Sequence, residues 1–242
     1  MLSQRILPTA LAALVLLALA GCSTDADADA VGGAAGPAAG PAAPAASTAG
    51  SPAAPPPPVA ASTLSPPAPV TPPEAVLAIP GIGLADLRVV PYEGTTDDWP
   101  GTRIQNQGLA ASPYGERGGV GPGRIGNYLI TAHRMSAGGP LHDLPSLDIG
   151  DSVFVTAGGT VYEYRITGTR KTSFRSERSL AEQRAAVPGE PGVKPSRAMI
   201  TLSTCATPED DAAGNFWRDD RGNPEHRIDK FGVLVSAKPA DA

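Results

Sequence analysis

Residues 200–205 read ITLSTC, so a run of β-forming residues ends on one of only two cysteines in the chain, Cys22 and Cys205. A thiolate is a strong nucleophile, and an adjacent imidazolium or guanidinium stabilises it. Candidates for both lie elsewhere: His133 ends the run NYLITAH, and Arg227 precedes IDKFGVLV. If each sits at the end of a strand, the three side chains can converge at one rim. The chemistry available there is attack on a carbonyl. Cys205 attacks, His133 protonates a leaving amine, and Arg227 or a backbone N–H holds the oxyanion. The other two histidines read differently. His142 stands beside Asp143 in a turn-like segment, as a surface or turn residue. His226 is next to Arg227, and adjacent residues of an extended chain point to opposite faces, so only one of those two can face Cys205.

The elements that must position these residues are strands. Runs 127–133, 151–157, 160–166, 198–205 and 231–237 are rich in β-branched and aromatic residues. Gly158-Gly159 between the second and third of them marks a hairpin. A helix is expected only over 179–186, with Ser179 as its cap and Glu182 three residues later, and PLHDLPSL is expected to form a helical turn. Short strands separated by Gly, Pro and Asp indicate an all-β sandwich or barrel rather than a parallel α/β fold.

The first 75 residues carry different information. One positive charge, Arg5, precedes an apolar run from Ile6 to Ala20 that is shorter than the roughly 20 residues of a spanning helix. The pattern is that of a signal peptide over 1–21, and Leu19-Ala20-Gly21-Cys22 resembles the lipobox of bacterial lipoproteins. That resemblance implies lipidation of Cys22, and a two-chain lipid gives stable anchoring to the cell membrane. Of the 43 residues from Val31 to Pro73, 27 are Ala or Pro and none is charged, so 22–75 is expected to be a disordered linker. Its reach is on the order of 40 Å as a flexible coil and about 150 Å as stretched polyproline. All 11 aromatic residues lie at Tyr92 or beyond, which places the one foldable domain at 76–242. That domain carries 18 basic and 20 acidic side chains and no phosphate-binding glycine motif, which argues against a nucleic-acid partner.

ITLSTC resembles the TLxTC signature of sortases, with Thr201, Leu202, Thr204 and Cys205 on the matching positions. NYLITAHR followed by GGPLHDLPSLDIGDSVFV is similar to the histidine strand of that family, and an Arg precedes the final strand as the family requires. The arrangement looks most like class E sortases. The resemblance implies a closed β-barrel of about eight strands with one or two short helices. It implies a cysteine transpeptidase that cuts a C-terminal sorting signal between Thr and Gly and joins the protein to a peptidoglycan precursor amine through a thioester. The carried-over residues are His133, Cys205 and Arg227, with Thr204 contributing to the oxyanion and substrate pocket, and no metal or organic cofactor. The family pattern selects Arg227 over His226, Arg218 and Arg221. The expected place is extracytoplasmic, anchored to the membrane and facing the cell wall. Two alternatives are a thiol hydrolase of surface proteins and a non-catalytic wall lipoprotein with the same barrel. The acidic loop 206–226 is expected to be solvated, with Phe216 and Trp217 packed against the barrel.

Overall fold

The computed structural model describes residues 71–240. The expected signal peptide over 1–21, Cys22 and nearly all of the expected 22–75 linker lie outside the described residues. Eight strands close into one barrel: β1 (Ala75–Ile79), β2 (Leu84–Glu93), β3 (Ala110–Tyr114), β4 (Gly126–Thr131), β5 (Ser152–Ala157), β6 (Thr160–Ser173), β7 (Ala198–Cys205) and β8 (His226–Pro239). Their order around the barrel is β1-β2-β3-β4-β7-β8-β6-β5. All neighbours are antiparallel except β2 with β3 and β4 with β7, which are parallel. A parallel pair cannot be closed by a hairpin, so each requires a long crossover. The β2–β3 crossover carries helix α1 (Trp99–Gln105), and the β4–β7 crossover carries β5, β6 and helix α2 (Glu177–Arg184). A third helix, α3 (Thr207–Ala212), follows β7 directly.

The expected all-β barrel is therefore present, with more helix than expected. Helix α2 begins before the anticipated Ser179. Ser176 is the cap, its Oγ accepting from the Ser179 backbone N–H, while the Ser179 hydroxyl instead accepts from the Ser173 N–H. Helix α1 is announced by Asp98, whose carboxylate accepts from the Gly101 N–H, with Pro100 in the first turn. The hairpin at Gly158-Gly159 joins β5 to β6, and both glycines adopt the positive φ that such a two-residue turn demands.

Period-2 alternation divides each strand between two environments. Tyr128, Ile130 and Ala132 of the β4 run, with Ile200 and Leu202 of β7, enter a core shared with Leu77, Val89, Leu141, Val153 and Ile166. Burial of each such large side chain contributes about 1.5–3 kcal/mol. The alternate residues, Asn127 and Thr131 of β4, Thr201, Ser203 and Cys205 of β7, and Arg227 and Asp229 of β8, are buried too. They lie outside the barrel wall, beneath α2 and the loop ahead of α1.

The sequence places the start of β8 at residue 231, yet the strand begins at His226 and Arg227 is already inside it. The hydrophobic pattern misses this segment because Arg227, Asp229 and Lys230 are buried in polar partnerships. Lys230 Nζ, for example, donates to the Leu147 carbonyl at 2.5 Å. The loop before β8 also departs from expectation. Phe216 is 71% exposed rather than packed on the barrel, and Trp217 is half-buried with the Arg175 guanidinium over its ring.

Candidate active site

β7 and β8 pair antiparallel with Cys205 directly opposite Arg227. Arg227 Nη1 donates to the Cys205 sulfur at 2.7 Å. The two side chains are 7% and 1% exposed. Arg227 has further contacts: Nη2 forms an ion pair with Asp97 and donates to Asn223 Oδ1 at 3.4 Å, and the Phe174 ring lies 4.7 Å from the guanidinium carbon, while Nε has no partner. Burial alone pulls the Arg227 pKa down, but Asp97, Cys205 and Asp229 outweigh it and hold the pKa above its ordinary value. The cation is permanent. A buried pair such as Asp97–Arg227 resists separation, because removing one partner leaves an uncompensated charge at about 3–5 kcal/mol.

His133 lies two residues past the end of β4. The parallel register sets Thr131 opposite Ser203, and the Ala132 N–H still donates to the Ser203 carbonyl at 3.2 Å. Carried two residues further, that register brings His133 level with Cys205 and on the same face. The imidazole shares no hydrogen bond with the sulfur; Nε2 bonds Asn106 Oδ1 at 2.8 Å. Asn106 follows the last turn of α1 as its C-cap. With an amide oxygen on Nε2, that nitrogen carries the proton and Nδ1 is the free base.

The protonation state follows from the surroundings. Burial lowers the His133 pKa, the Arg227 cation lowers it further, and Asp97 partly offsets both. Burial raises the Cys205 pKa, with Arg227 and Arg134 acting against that rise and Asp97 and Asp219 adding to it. Both shifts favour the uncharged forms, a neutral imidazole and a neutral thiol.

The other residues singled out in the sequence have partners of their own. Thr204 is fully buried on the inner face, away from Cys205, and its hydroxyl donates to the Ala132 carbonyl at 2.9 Å. That bond ties β7 to the residue just before His133. His142 bonds Asp143 at the surface. His226 faces away from Arg227, its backbone N–H and Nδ1 both on the Asp210 carboxylate. Arg218 pairs with Asp211, and Arg221 with Asp219 and Asp220.

Several participants were invisible to motif reading. Arg134 donates to the carbonyls of His142 and Cys205 and forms a two-point ion pair with Glu209, tying the histidine loop to α3. Behind the cysteine, Asp229 accepts from Ser203 Oγ at 2.6 Å, Thr172 Oγ1 at 2.5 Å and Gln183 Nε2 at 3.0 Å. Gln183 also accepts from Thr96 Oγ1 and donates to Ser203. Full burial raises the Asp229 pKa, and the Ser203, Thr172 and Gln183 donors only partly counter it. Period 2 was the available clue: Ser203 and Asp229 are two residues from Cys205 and Arg227 on the same strands. Asp97 carried none beyond its place in TTDDWPG.

Comparison with known proteins agrees with this geometry. The family model described as the Sortase domain matches residues 77–216. Curated proteins yielded no match. Among solved structures, sortase E from Streptomyces avermitilis is 27% identical with a TM-score of 0.50, covering 69% of this chain and 91% of that one. The SrtA sortase from Actinomyces oris shares the fold at 19% identity and TM-score 0.52, covering 69% and 82%. Sortase E1 from Streptomyces coelicolor, solved with a tripeptide in its active site, shares it at 22% identity and TM-score 0.50, covering 69% and 91%. With a family match over more than half of its length and a thiol, a guanidinium and an imidazole gathered at one end of the expected barrel, this chain belongs to the sortase family of cysteine transpeptidases, with similarity to class E.

Proposed function

We propose that Cys205 is the nucleophile, His133 the proton carrier and Arg227 the charge-stabilising cation of a transpeptidase. It cleaves a C-terminal sorting signal between Thr and Gly and transfers the protein to an amine of a peptidoglycan precursor. The observation that carries this reading is the Arg227 hydrogen bond to the Cys205 sulfur, with His133 near enough for the Arg227 cation to act on its imidazole. As the thiol gives its proton to His133, sulfur bonds to the Thr carbonyl carbon and the C=O π pair moves to oxygen. In this tetrahedral intermediate the carbon-bound sulfur is a poorer acceptor, and Arg227 Nη1 is free for the oxyanion on the same carbon. The oxyanion collapses, the C–N bond breaks, and the Gly amine leaves with the proton from His133. The acceptor amine then attacks the thioester, passes its proton to His133, forms the new amide and expels the sulfur, which is reprotonated as the thiol. No electrons change hands, so the cycle needs no redox partner.

The anchoring belongs to the same proposal. A signal peptide over 1–21, lipidated Cys22 and an Ala/Pro-rich spacer to residue 75 tether the catalytic domain, 76–242, outside the membrane and lift it toward the wall. A radioactive fatty acid should label the wild type and not Cys22→Ala; label retained by the variant removes this anchor.

The catalytic reading is tested with sorting-signal peptides carrying Ala or Pro at the second position, with and without an acceptor amine. Mass spectrometry should show an acyl adduct on Cys205 and a joined product that requires the amine. Equal cleavage with no joined product identifies a hydrolase, and neither product identifies an inert wall protein.

A further inference from the structure

Asp97 stands on the loop between β2 and α1 and is 3% exposed. Its φ of 61° is in the left-handed region, uncommon for a residue other than glycine, so the loop sets the side chain's direction at some expense to the backbone. Oδ1 is ion-paired with Arg227 Nη2 without the alignment of a hydrogen bond, and Oδ2 has no partner. The rest of the loop is tied on three sides. Tyr92 of β2 donates to the Thr95 carbonyl at 2.5 Å, and Asp98 accepts from the Thr95 N–H at 3.0 Å. Arg184 of α2 donates to Thr95 Oγ1 at 2.9 Å, and Thr96 Oγ1 donates to Gln183 at 3.0 Å. A cover that swings aside at each turnover would break all of these and would part a buried ion pair. The attachments describe a fixed support.

We infer that Asp97 is a positioning residue, holding one arm of the Arg227 guanidinium so that the other arm stays on the Cys205 sulfur. The fork is rigid and planar, so fixing Nη2 fixes Nη1. The cation is thereby oriented by a third group, much as a general base is in nucleophilic triads. Its negative charge has a second effect: burial is the main cause of the raised Cys205 pKa, and Asp97 adds to that rise against the lowering by Arg227. The other charged groups acting on Cys205 are Arg227 from β8, Arg134 from the loop after β4 and Asp219 from the loop before β8. The catalytic consequence rests on the transpeptidase reading above; the coupling from Asp97 through Arg227 to sulfur does not.

Two variants test it, Asp97→Ala and Asp97→Asn, with two readouts. Iodoacetamide alkylation of Cys205 against pH needs no substrate, and kcat and KM are taken with a sorting peptide. Asp97→Ala frees the guanidinium and should lower kcat by at least about 10-fold with KM within about 2-fold. Asp97→Asn keeps an oxygen on Nη2 but loses the charge. It should restore kcat to within about 3-fold of wild type and shift the alkylation profile to lower pH. Faster turnover of Asp97→Ala than wild type would mean that Asp97 blocks Arg227 and overturns the inference, as would an Asn variant no better than Ala. If the Ala variant does not fold, the Asn profile decides, and coincidence with wild type refutes the coupling. A wild type that turns over no peptide defeats the proposed function while leaving the alkylation test intact.

Discussion

The inside of the barrel and the buried layer just outside its wall share the same strands but are held by different physics. Inside, Leu77, Val89, Ile130, Val153, Ile200 and Leu202 exclude water by non-directional packing. Outside, Asn127, Thr201, Ser203, Asp229, Thr172 and Gln183 satisfy one another through directed hydrogen bonds. An apolar core accepts another side chain of similar volume at a cost usually under about 1.5 kcal/mol. A polar layer does not, because every exchanged atom leaves a desolvated partner behind. The residues proposed to do chemistry, Cys205 and Arg227, sit on the second kind of surface, where placement is fixed atom by atom.

The sharpest separation of the two layers is Cys205→Ala. It removes one sulfur from the polar layer and should reduce peptide turnover to background while the melting temperature falls by only a few degrees. Next in size is Leu202→Ala, on the opposite face three residues earlier. It should cost about 2–5 kcal/mol in denaturant unfolding, while the protein that remains folded keeps its Cys205 alkylation rate. Leu202→Met should cost under about 1.5 kcal/mol, and a comparable loss from both would contradict the tolerance claimed for the interior.

Titration distinguishes the layers by sign. Asp229 has its carboxyl pKa raised, so the folded state binds a proton more tightly than the unfolded chain. Its ionisation therefore removes stability as pH rises from the ordinary carboxylate value toward the folded one. Asp210 behaves oppositely. Burial alone raises its pKa, but hydrogen bonds from the His226 backbone and ring, with Lys171 adding to them, bring the net value below normal. Its stabilisation is present above the unfolded pKa and is lost as pH falls through the folded one. Unfolding free energy measured across pH should become flatter within that window in Asp229→Asn. In Asp210→Asn it should be lower above the ordinary carboxylate pKa and converge with wild type in acid. Identical pH profiles for wild type and Asp229→Asn would show that the carboxyl titrates normally despite its burial. The smallest effect is expected of Asn106→Ala, which frees the His133 ring and should slow turnover by on the order of 10-fold with unchanged stability.

The sequence made the inner layer readable and the outer one nearly opaque. Alternation in AMITLSTC predicted β7 to the residue, and Gly158-Gly159 located the hairpin, because apolar periodicity and turn conformation are local properties. The alternation argument at His226-Arg227 also matches: the two side chains point apart, one to Asp210 and the other to Cys205. β1, β2 and β3 were not anticipated, since segments such as LADLRVVPYE mix charges and a proline into the pattern. The early part of β8 and the partnership of Asp97 with Arg227 were hidden for a related reason. Ion pairs and hydrogen bonds between residues more than a hundred positions apart leave no periodic trace. The matching motif identified Cys205, His133 and Arg227 as a set, whereas the residues that orient them, Asn106, Asp97 and Gln183, had to be seen in three dimensions.

The parallel pairing of β2 with β3 has an implication for engineering. Because that connection must travel the length of the sheet, residues 94–109 form one insert that leaves the wall after β2, returns at β3, is hydrogen-bonded to Gln183 and Arg184 of α2, and supplies both Asp97 and Asn106. Replacing this insert as a cassette between related enzymes would exchange the supports of Arg227 and His133 together while leaving the barrel register and both side chains in place. Reactivity could then be tuned by transplantation, without altering any residue that forms or breaks a bond.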